Sequence, residues 1–188
     1  MTECTYLNNQ FLIAMPGLYD PNFFHTVTYL CQHNREGALG IVINRPNGMK
    51  LRDIFEQMHI QTNLEQVLDT PIFAGGPVQQ ERGFVIHSPC EQQWDSSILT
   101  AENITLTSSR DILEAIAMGQ GPQNYLIALG YAGWGSGQLE KEIGENAWLN
   151  TPCGEAILFH TPISQRWNAA ASQLGVDINR LTTPAGHG

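Results

Sequence analysis

Tyr125-Leu126-Ile127-Ala128-Leu129-Gly130-Tyr131-Ala132-Gly133-Trp134-Gly135-Ser136-Gly137 is the stretch whose reading decides the fold. Its first five residues are apolar and uncharged, as a buried strand requires. The next eight contain four glycines and read as a glycine-rich loop, which leads into a helical segment over Gln138-Leu139-Glu140-Lys141-Glu142-Ile143. Strand, glycine loop and helix in that order is the setting of a phosphate cradle, because glycines let N–H groups point inward ahead of a helix. Neither G-x-x-x-x-G-K-[ST] nor G-x-G-x-x-G is spelled here, however. Ser136 stands between glycines, but a nucleophile elbow needs G-x-S-x-G, and Trp134 occupies the first glycine position. A turn that brings backbone close to backbone is the simpler use of these glycines.

Outward from this stretch, strands and helices alternate without a break in composition. Asp20-Pro21-Asn22-Phe23-Phe24 predicts a helix start, with Asp20 as cap and Pro21 at the first helical position. Phe23, Val27, Leu30 and Cys31 then share a face up to about Asn34. Ala38-Leu39-Gly40-Ile41-Val42-Ile43 predicts a buried strand, halted by a turn at Asn44-Arg45-Pro46-Asn47-Gly48. A short helix follows over Leu51-Arg52-Asp53-Ile54-Phe55. Pro71–Ala74, Gly83–His87 and the alternating Ile104–Thr107 predict further strands. Ser108-Ser109-Arg110-Asp111 has the spacing of a capping box ahead of Ile112, Leu113, Ile116 and Ala117. Ala156-Ile157-Leu158-Phe159 reads as a buried strand. Thr161-Pro162 opens a last helix, with Trp167, Ala170, Ala171 and Leu174 on one face and Gly175 as its stop. No repeat, long linker or low-complexity tract divides the 188 residues, so a single domain is expected.

A chain of this length buries roughly 70% of its extended surface without needing a disulfide or metal staple. Nine Lys and Arg against 18 Asp and Glu leave a formal charge of −9. Direct DNA binding is disfavoured, since affinity for phosphates comes from basic groups that displace counterions. Seven of the nine cations are Arg, the residue suited to forked bonds with carboxylate or phosphate. Cys4, Cys31, Cys90 and Cys153 form no CxxC, the N-terminus has no signal-peptide core, and no run of about 18 apolar residues exists. Free thiols in a cytoplasmic protein, away from membranes, are the expectation.

The six histidines, His25, His33, His59, His87, His160 and His187, form neither HxxxH nor HExxH, so no metal site is expected, and no cofactor motif is present. Candidate binding groups lie instead at turn tips: Asn44-Arg45-Pro46, Gly75-Gly76-Pro77, Arg82, Ser108-Ser109, and Tyr131 with Trp134. Arg and aromatic residues are the usual anchors of interfaces. The alternative for each is structural, with Arg45 and Arg82 tying loops and Trp134 closing the core. The groups predict a binding or regulatory protein that engages a protein partner or a small anionic ligand. An enzyme acting on a small anionic substrate is the alternative, with Arg45 or Arg82 clamping the anion and Glu140 or His160 as acid or base.

The ordered words of the chain resemble the AlgH (YqgE) family of bacteria. They are Phe11-Leu12-Ile13-Ala14-Met15-Pro16 with Asp20-Pro21-Asn22-Phe23, Gly40 to Pro46, and Gly75-Gly76-Pro77-Val78 with Arg82-Gly83-Phe84. The same holds for Thr107-Ser108-Ser109 with Asp111-Ile112-Leu113, Ala128 to Trp134, Gly137-Gln138-Leu139-Glu140, and the closing Ala185-Gly186-His187. The resemblance implies a cytosolic α+β protein whose bent, mixed or antiparallel sheet is partly closed like a barrel and surrounded by helices. Members are commonly labelled transcriptional regulators. No reaction, cofactor or catalytic residue comes with the resemblance, and the chain has no helix-turn-helix signature.

Overall fold

The computed structural model describes residues 5–181 apart from Glu102. Cys4, His187 and the closing Ala185-Gly186-His187 words lie outside the described residues. In chain order the strands are β1 (Gln10–Ala14), β2 (Val27–Asn34), β3 (Gly37–Val42), β4 (Pro46–Lys50), β5 (Pro71–Ala74), β6 (Val78–His87), β7 (Ser97–Ala101), β8 (Ile104–Thr107), β9 (Tyr125–Gly135) and β10 (Trp148–Pro152). The α-helices are α1 (Leu51–Met58), α2 (Glu65–Leu68), α3 (Arg110–Ala117), α4 (Gln138–Gly144) and α5 (Arg166–Ser172). The class is α+β, as expected. Among the described residues, strands pair antiparallel except for β5 beside β9. No helix among them is long and apolar enough to cross a membrane.

The chain divides into two compact units: residues up to Asn44 with those from Ala132 onward, and residues Arg45–Tyr131. In the first, the strand order is β10-β1-β2-β3, with residues 132–135 of β9 beyond β3. Leu12, Leu30, Trp134, Leu139 and Trp148 build its core. A register shift between Leu30 and Gln32 bends β2 against β3, as a bulge does. In the second unit the order is β4-β5-β9-β6-β8-β7, using residues 125–131 of β9. There α1 and α3 press Leu51, Ile54, Phe55, Ile112, Leu113 and Ile116 onto Ile72, Val85 and Ile127.

Five sequence expectations are corrected. The glycine-rich segment is no loop: β9 continues to Gly135, pairing Ala132 with Gly40 and Trp134 with Ala38. Ala132 and Trp134 are buried while Gly133 and Gly135 are exposed, a period-two pattern that belongs to a strand. The helix expected over residues 20–34 is a turn followed by β2. Asp20 does accept the Asn22 N–H at 2.8 Å, but His25 takes a left-handed φ of 54°, and the β-branched run from Thr26 then extends. The turn at residues 44–48 contains the start of β4, paired to β5 at Pro46–Phe73 and Lys50–Pro71. Ala156–His160 is a π-helical turn rather than a strand, closed by the Thr161 N–H on the Ala156 carbonyl at 2.8 Å. At α3 the helix begins one residue later than the capping-box spacing suggests. Ser109 stands at the cap without a side-chain capping bond.

Candidate functional site

In the second unit, the face of the sheet formed by β6 and β9 does not fully meet α1 and α3. A cleft of about 410 Å³ remains. Its apolar walls come from Met49 on β4, Ile54 and Met58 on α1, Leu113 on α3, and Ile127 and Leu129 on β9. The wall contributed by β6 has a gap at Gly83, where a Cβ would meet only Leu129 Cδ2, at 3.9 Å. Polar groups enter at the start of α3, where Ser108, Ser109 and Arg110 are consecutive lining residues, and from Gln57 and Glu81.

The polar side is ordered from behind. Asp111 accepts the Ser109 hydroxyl at 2.6 Å and the Asp95 N–H at 2.8 Å, while Ser109 Oγ accepts the Ser96 N–H at 3.1 Å. Ser108 Oγ lies 3.1 Å from Ser96 Oγ. Arg110 pairs with Glu114 at 2.6 Å on the exposed face of the helix. Thr107, also on the cleft, is bonded to the buried His87. His87 Nδ1 lies 2.8 Å from the Ser88 carbonyl, which can only accept, so Nδ1 carries the proton. Nε2 of the neutral ring then accepts from Thr107 Oγ1 at 2.7 Å, and Thr107 Oγ1 in turn accepts from Ser97 Oγ at 2.7 Å. Burial holds the His87 pKa below its ordinary 6.5, because desolvation disfavours the imidazolium.

The residues singled out in the sequence are distributed as follows. Ser108 and Ser109 line the cleft. Arg82 lies with its guanidinium carbon 5.2 Å over the ring of Phe84, a cleft residue, and Phe84 meets Tyr131 edge-on at 5.9 Å. Gly75 donates to the Leu129 carbonyl at 2.8 Å, and the Gly76 carbonyl lies 2.5 Å from where a Cβ on Gly130 would sit. Gly75 and Gly76 therefore meet Gly130 at one close crossing of backbone, Tyr131 follows Gly130 on β9 and pairs with Val78, and Arg82 and Tyr131 share contact with Phe84. Arg45 is held through its carbonyl, which accepts the Ala74 N–H at 2.7 Å.

Asn44 and Trp134 belong to the first unit. Asn44 accepts the Val27 N–H at 2.9 Å and donates to the His25 carbonyl at 2.9 Å, bracketing the left-handed turn. Trp134 is only 6% exposed; it stacks on Phe23 and gives its indole N–H to Glu142 at 3.3 Å. Ser136 gives its hydroxyl to the Arg35 carbonyl at 2.6 Å. Glu140 bonds the buried His33 at 2.6 Å; burial alone raises its pKa, but its own backbone N–H and His33 hold it below the ordinary value. His160 ends the π-helical turn. Met49, Met58, Leu113 and Leu129 escaped the sequence reading as cleft residues: the two methionines fall outside the elements that reading assigned, and Leu113 and Leu129 fall in a helix and a strand whose patterns mark them only as core-facing. The one local signal was Gly83, a glycine inside a strand.

Among the described residues no three His, Cys, Asp or Glu side chains group as a metal site would require. The profile of the AlgH-like family matches residues 11–179, which runs through both units. A UPF0301 protein of Methylococcus capsulatus is 55% identical over 187 residues, covering 100% of this chain and 99% of its own. A UPF0301 protein of Thioalkalivibrio sulfidiphilus is likewise 55% identical, with 100% of both chains covered. The solution structure of the AlgH protein from Pseudomonas aeruginosa is 47% identical, with a TM-score of 0.79 over 100% of this chain and 99% of that one. A crystal structure of a Corynebacterium diphtheriae protein has a TM-score of 0.73 at 16% identity, over 92% of this chain and 90% of that one, and shares the fold alone.

Proposed function

This chain belongs to the AlgH-like family, and we propose that it is a binding protein whose cleft takes a small, largely apolar ligand carrying one anionic group. The observation that supports this reading is the cleft itself. Its volume of about 410 Å³ falls in the range of small-molecule sites, roughly 300–1,000 Å³. Its lining is mainly aliphatic and thioether, with polar groups concentrated at Ser108-Ser109-Arg110. Two methionines, Met49 and Met58, give the walls side chains that adapt to a guest. Arg110 is free to turn to a carboxylate or sulfonate, because its exposed pair with Glu114 is worth no more than about 1 kcal/mol. Glu81 on the same lining disfavours a second negative charge.

The test uses anilinonaphthalene sulfonate, an apolar probe with a single anionic group, as a fluorescent ligand of the folded protein. Gly83→Leu fills the cleft from a position where a side chain meets no backbone, and is expected to abolish the fluorescence gain while thermal unfolding is preserved. Arg110→Glu is expected to weaken the sulfonate probe and leave a neutral analogue unaffected. Equal binding by wild type and Gly83→Leu would refute the cleft as the site.

A further inference from the structure

Beside the cleft, β4 carries a reactive pair. Asn47 is the only one of the thirteen asparagines followed by glycine. Both residues are exposed. Gly48 has a left-handed φ of 87°, and around the position of its missing Cβ nothing lies within 4 Å. The ladder pairs β4 with β5 at Pro46 and Lys50 and shifts register between them, so residues 47–49 stand outside the regular pairing. The Asn47 side-chain carbonyl accepts the Met49 N–H at 2.8 Å.

We propose that Asn47 is a self-modifying site, converted by its own backbone to aspartate and isoaspartate. The Gly48 nitrogen attacks Asn47 Cγ, forming a C–N bond as its amide proton passes to a solvent base. The carbonyl electron pair moves onto Oδ1, where the Met49 N–H stabilises the developing negative charge. Collapse of this adduct breaks the Cγ–Nδ2 bond, and Nδ2 leaves as ammonia after taking a proton from solvent. The resulting cyclic imide is opened by water at either carbonyl, giving an aspartyl or an isoaspartyl linkage. Water is the only co-reactant and no redox change occurs. Glycine at position 48 matters because any side chain there would crowd the attacking nitrogen and resist the left-handed φ.

Both products place a new carboxylate two residues from Met49, which lines the cleft, and isoaspartate also lengthens the backbone there by one methylene. The reactivity stands on β4 alone; its effect on ligand affinity rests on the cleft reading above.

The experiment ages the folded full-length protein in mildly alkaline buffer and follows the tryptic peptide Glu36–Lys50 by mass spectrometry, with isoaspartyl methyltransferase labelling. The same peptide, made synthetically, is the reference for an unrestrained chain. Conversion at Asn47 is expected within about tenfold of the free-peptide rate, less than ~1.4 kcal/mol of added barrier, and to be absent in Asn47→Gln. Asn47 surviving intact after the free peptide has turned over would overturn the proposal. Asn47→Asp is expected to weaken anilinonaphthalene sulfonate binding severalfold. Failure of wild type to bind the probe at all would strike at the cleft reading and leave the mass measurement valid.

Discussion

Gly75→Ala should destabilise this protein more than its chemistry suggests, by an amount set by one backbone crossing. A Cβ on Gly75 would lie 2.3 Å from the Gly130 carbonyl oxygen, over an ångström closer than ordinary contact. Neither partner is a side-chain tip that can swing away. Gly130 belongs to β9, and Gly75 is tied to the same strand by its 2.8 Å bond to the Leu129 carbonyl. The segments must separate, which costs about 1–3 kcal/mol as overpacking, and the stretched hydrogen bond forfeits about 1 kcal/mol more. The sum is about 2–4 kcal/mol. For a chain of this size each 1 kcal/mol moves the thermal midpoint by roughly 2–4 °C.

Gly130→Ala meets the same crossing from the other side, with its Cβ 2.5 Å from the Gly76 carbonyl. Its φ of 78° adds about 1–2 kcal/mol, because a left-handed backbone crowds any Cβ. Gly83→Ala is the control: with only Leu129 Cδ2 nearby, at 3.9 Å, it should stay within about 0.5 kcal/mol of wild type. Urea unfolding of the three variants, with slopes compared to confirm a common unfolded state, measures the differences. Gly75→Ala and Gly130→Ala unfolding alongside Gly83→Ala would refute the crossing as a tight constraint.

Two further outcomes follow from titratable groups. His87 has a folded pKa below its ordinary 6.5, so the unfolded chain binds the proton more readily. Stability is then full above about pH 6.5 and declines as pH falls below that value; chemical denaturation at stepped pH should show this slope in wild type and a flatter one in His87→Gln. Burial pushes the Cys153 thiol up to about 12 and the Cys31 thiol higher than its ordinary value, while Cys90 is exposed. In a Cys4→Ser background at mildly alkaline pH, a thiol reagent should therefore label Cys90 rapidly and reach Cys31 and Cys153 only on unfolding. Equal labelling of all three in the folded state would contradict the burial.

Much of the element order was legible in the sequence because local rules and tertiary environment agree there. Ile112, Leu113, Ile116 and Ala117 sit at helical spacing and face the core, and Ile104–Thr107 alternates and forms β8. The failures come where one rule outvoted another. Glycines between residues 130 and 137 read as a loop, yet β9 runs on through Gly135, and smallness is demanded at Gly130, where a Cβ would sit 2.5 Å from the Gly76 carbonyl, and at Gly37 on the neighbouring strand β3. A side chain on Gly37, opposite Gly135, would sit 2.1 Å from the Trp134 carbonyl. Phe23, Val27, Leu30 and Cys31 fit a helical face, but Thr26 to Cys31 is buried without interruption, so both faces of the strand are covered and no period can show. At residues 44–48 the Pro and Asn-Gly signals do mark irregular backbone, but they mark it inside β4.

The candidate site was less legible for a different physical reason. Ser108 and Ser109 stand out in a sequence because they are polar beside an apolar helix face. A void does not, because it is a property of how far α1 and α3 stop short of β6 and β9, and no residue encodes that distance. Gly83 comes nearest to encoding it. Between Arg82 and the buried Phe84 that its guanidinium covers, it is the one position on that strand where the wall is missing a side chain. The cleft therefore depends on small size at one strand position and on flexible thioethers at two others, and none of these three features raises a polar signal. A guest that filled the space would gain roughly 25 cal/mol for each Å² of apolar surface it buries. Its orientation would be set by the few polar groups that Asp111 and Ser96 hold in place.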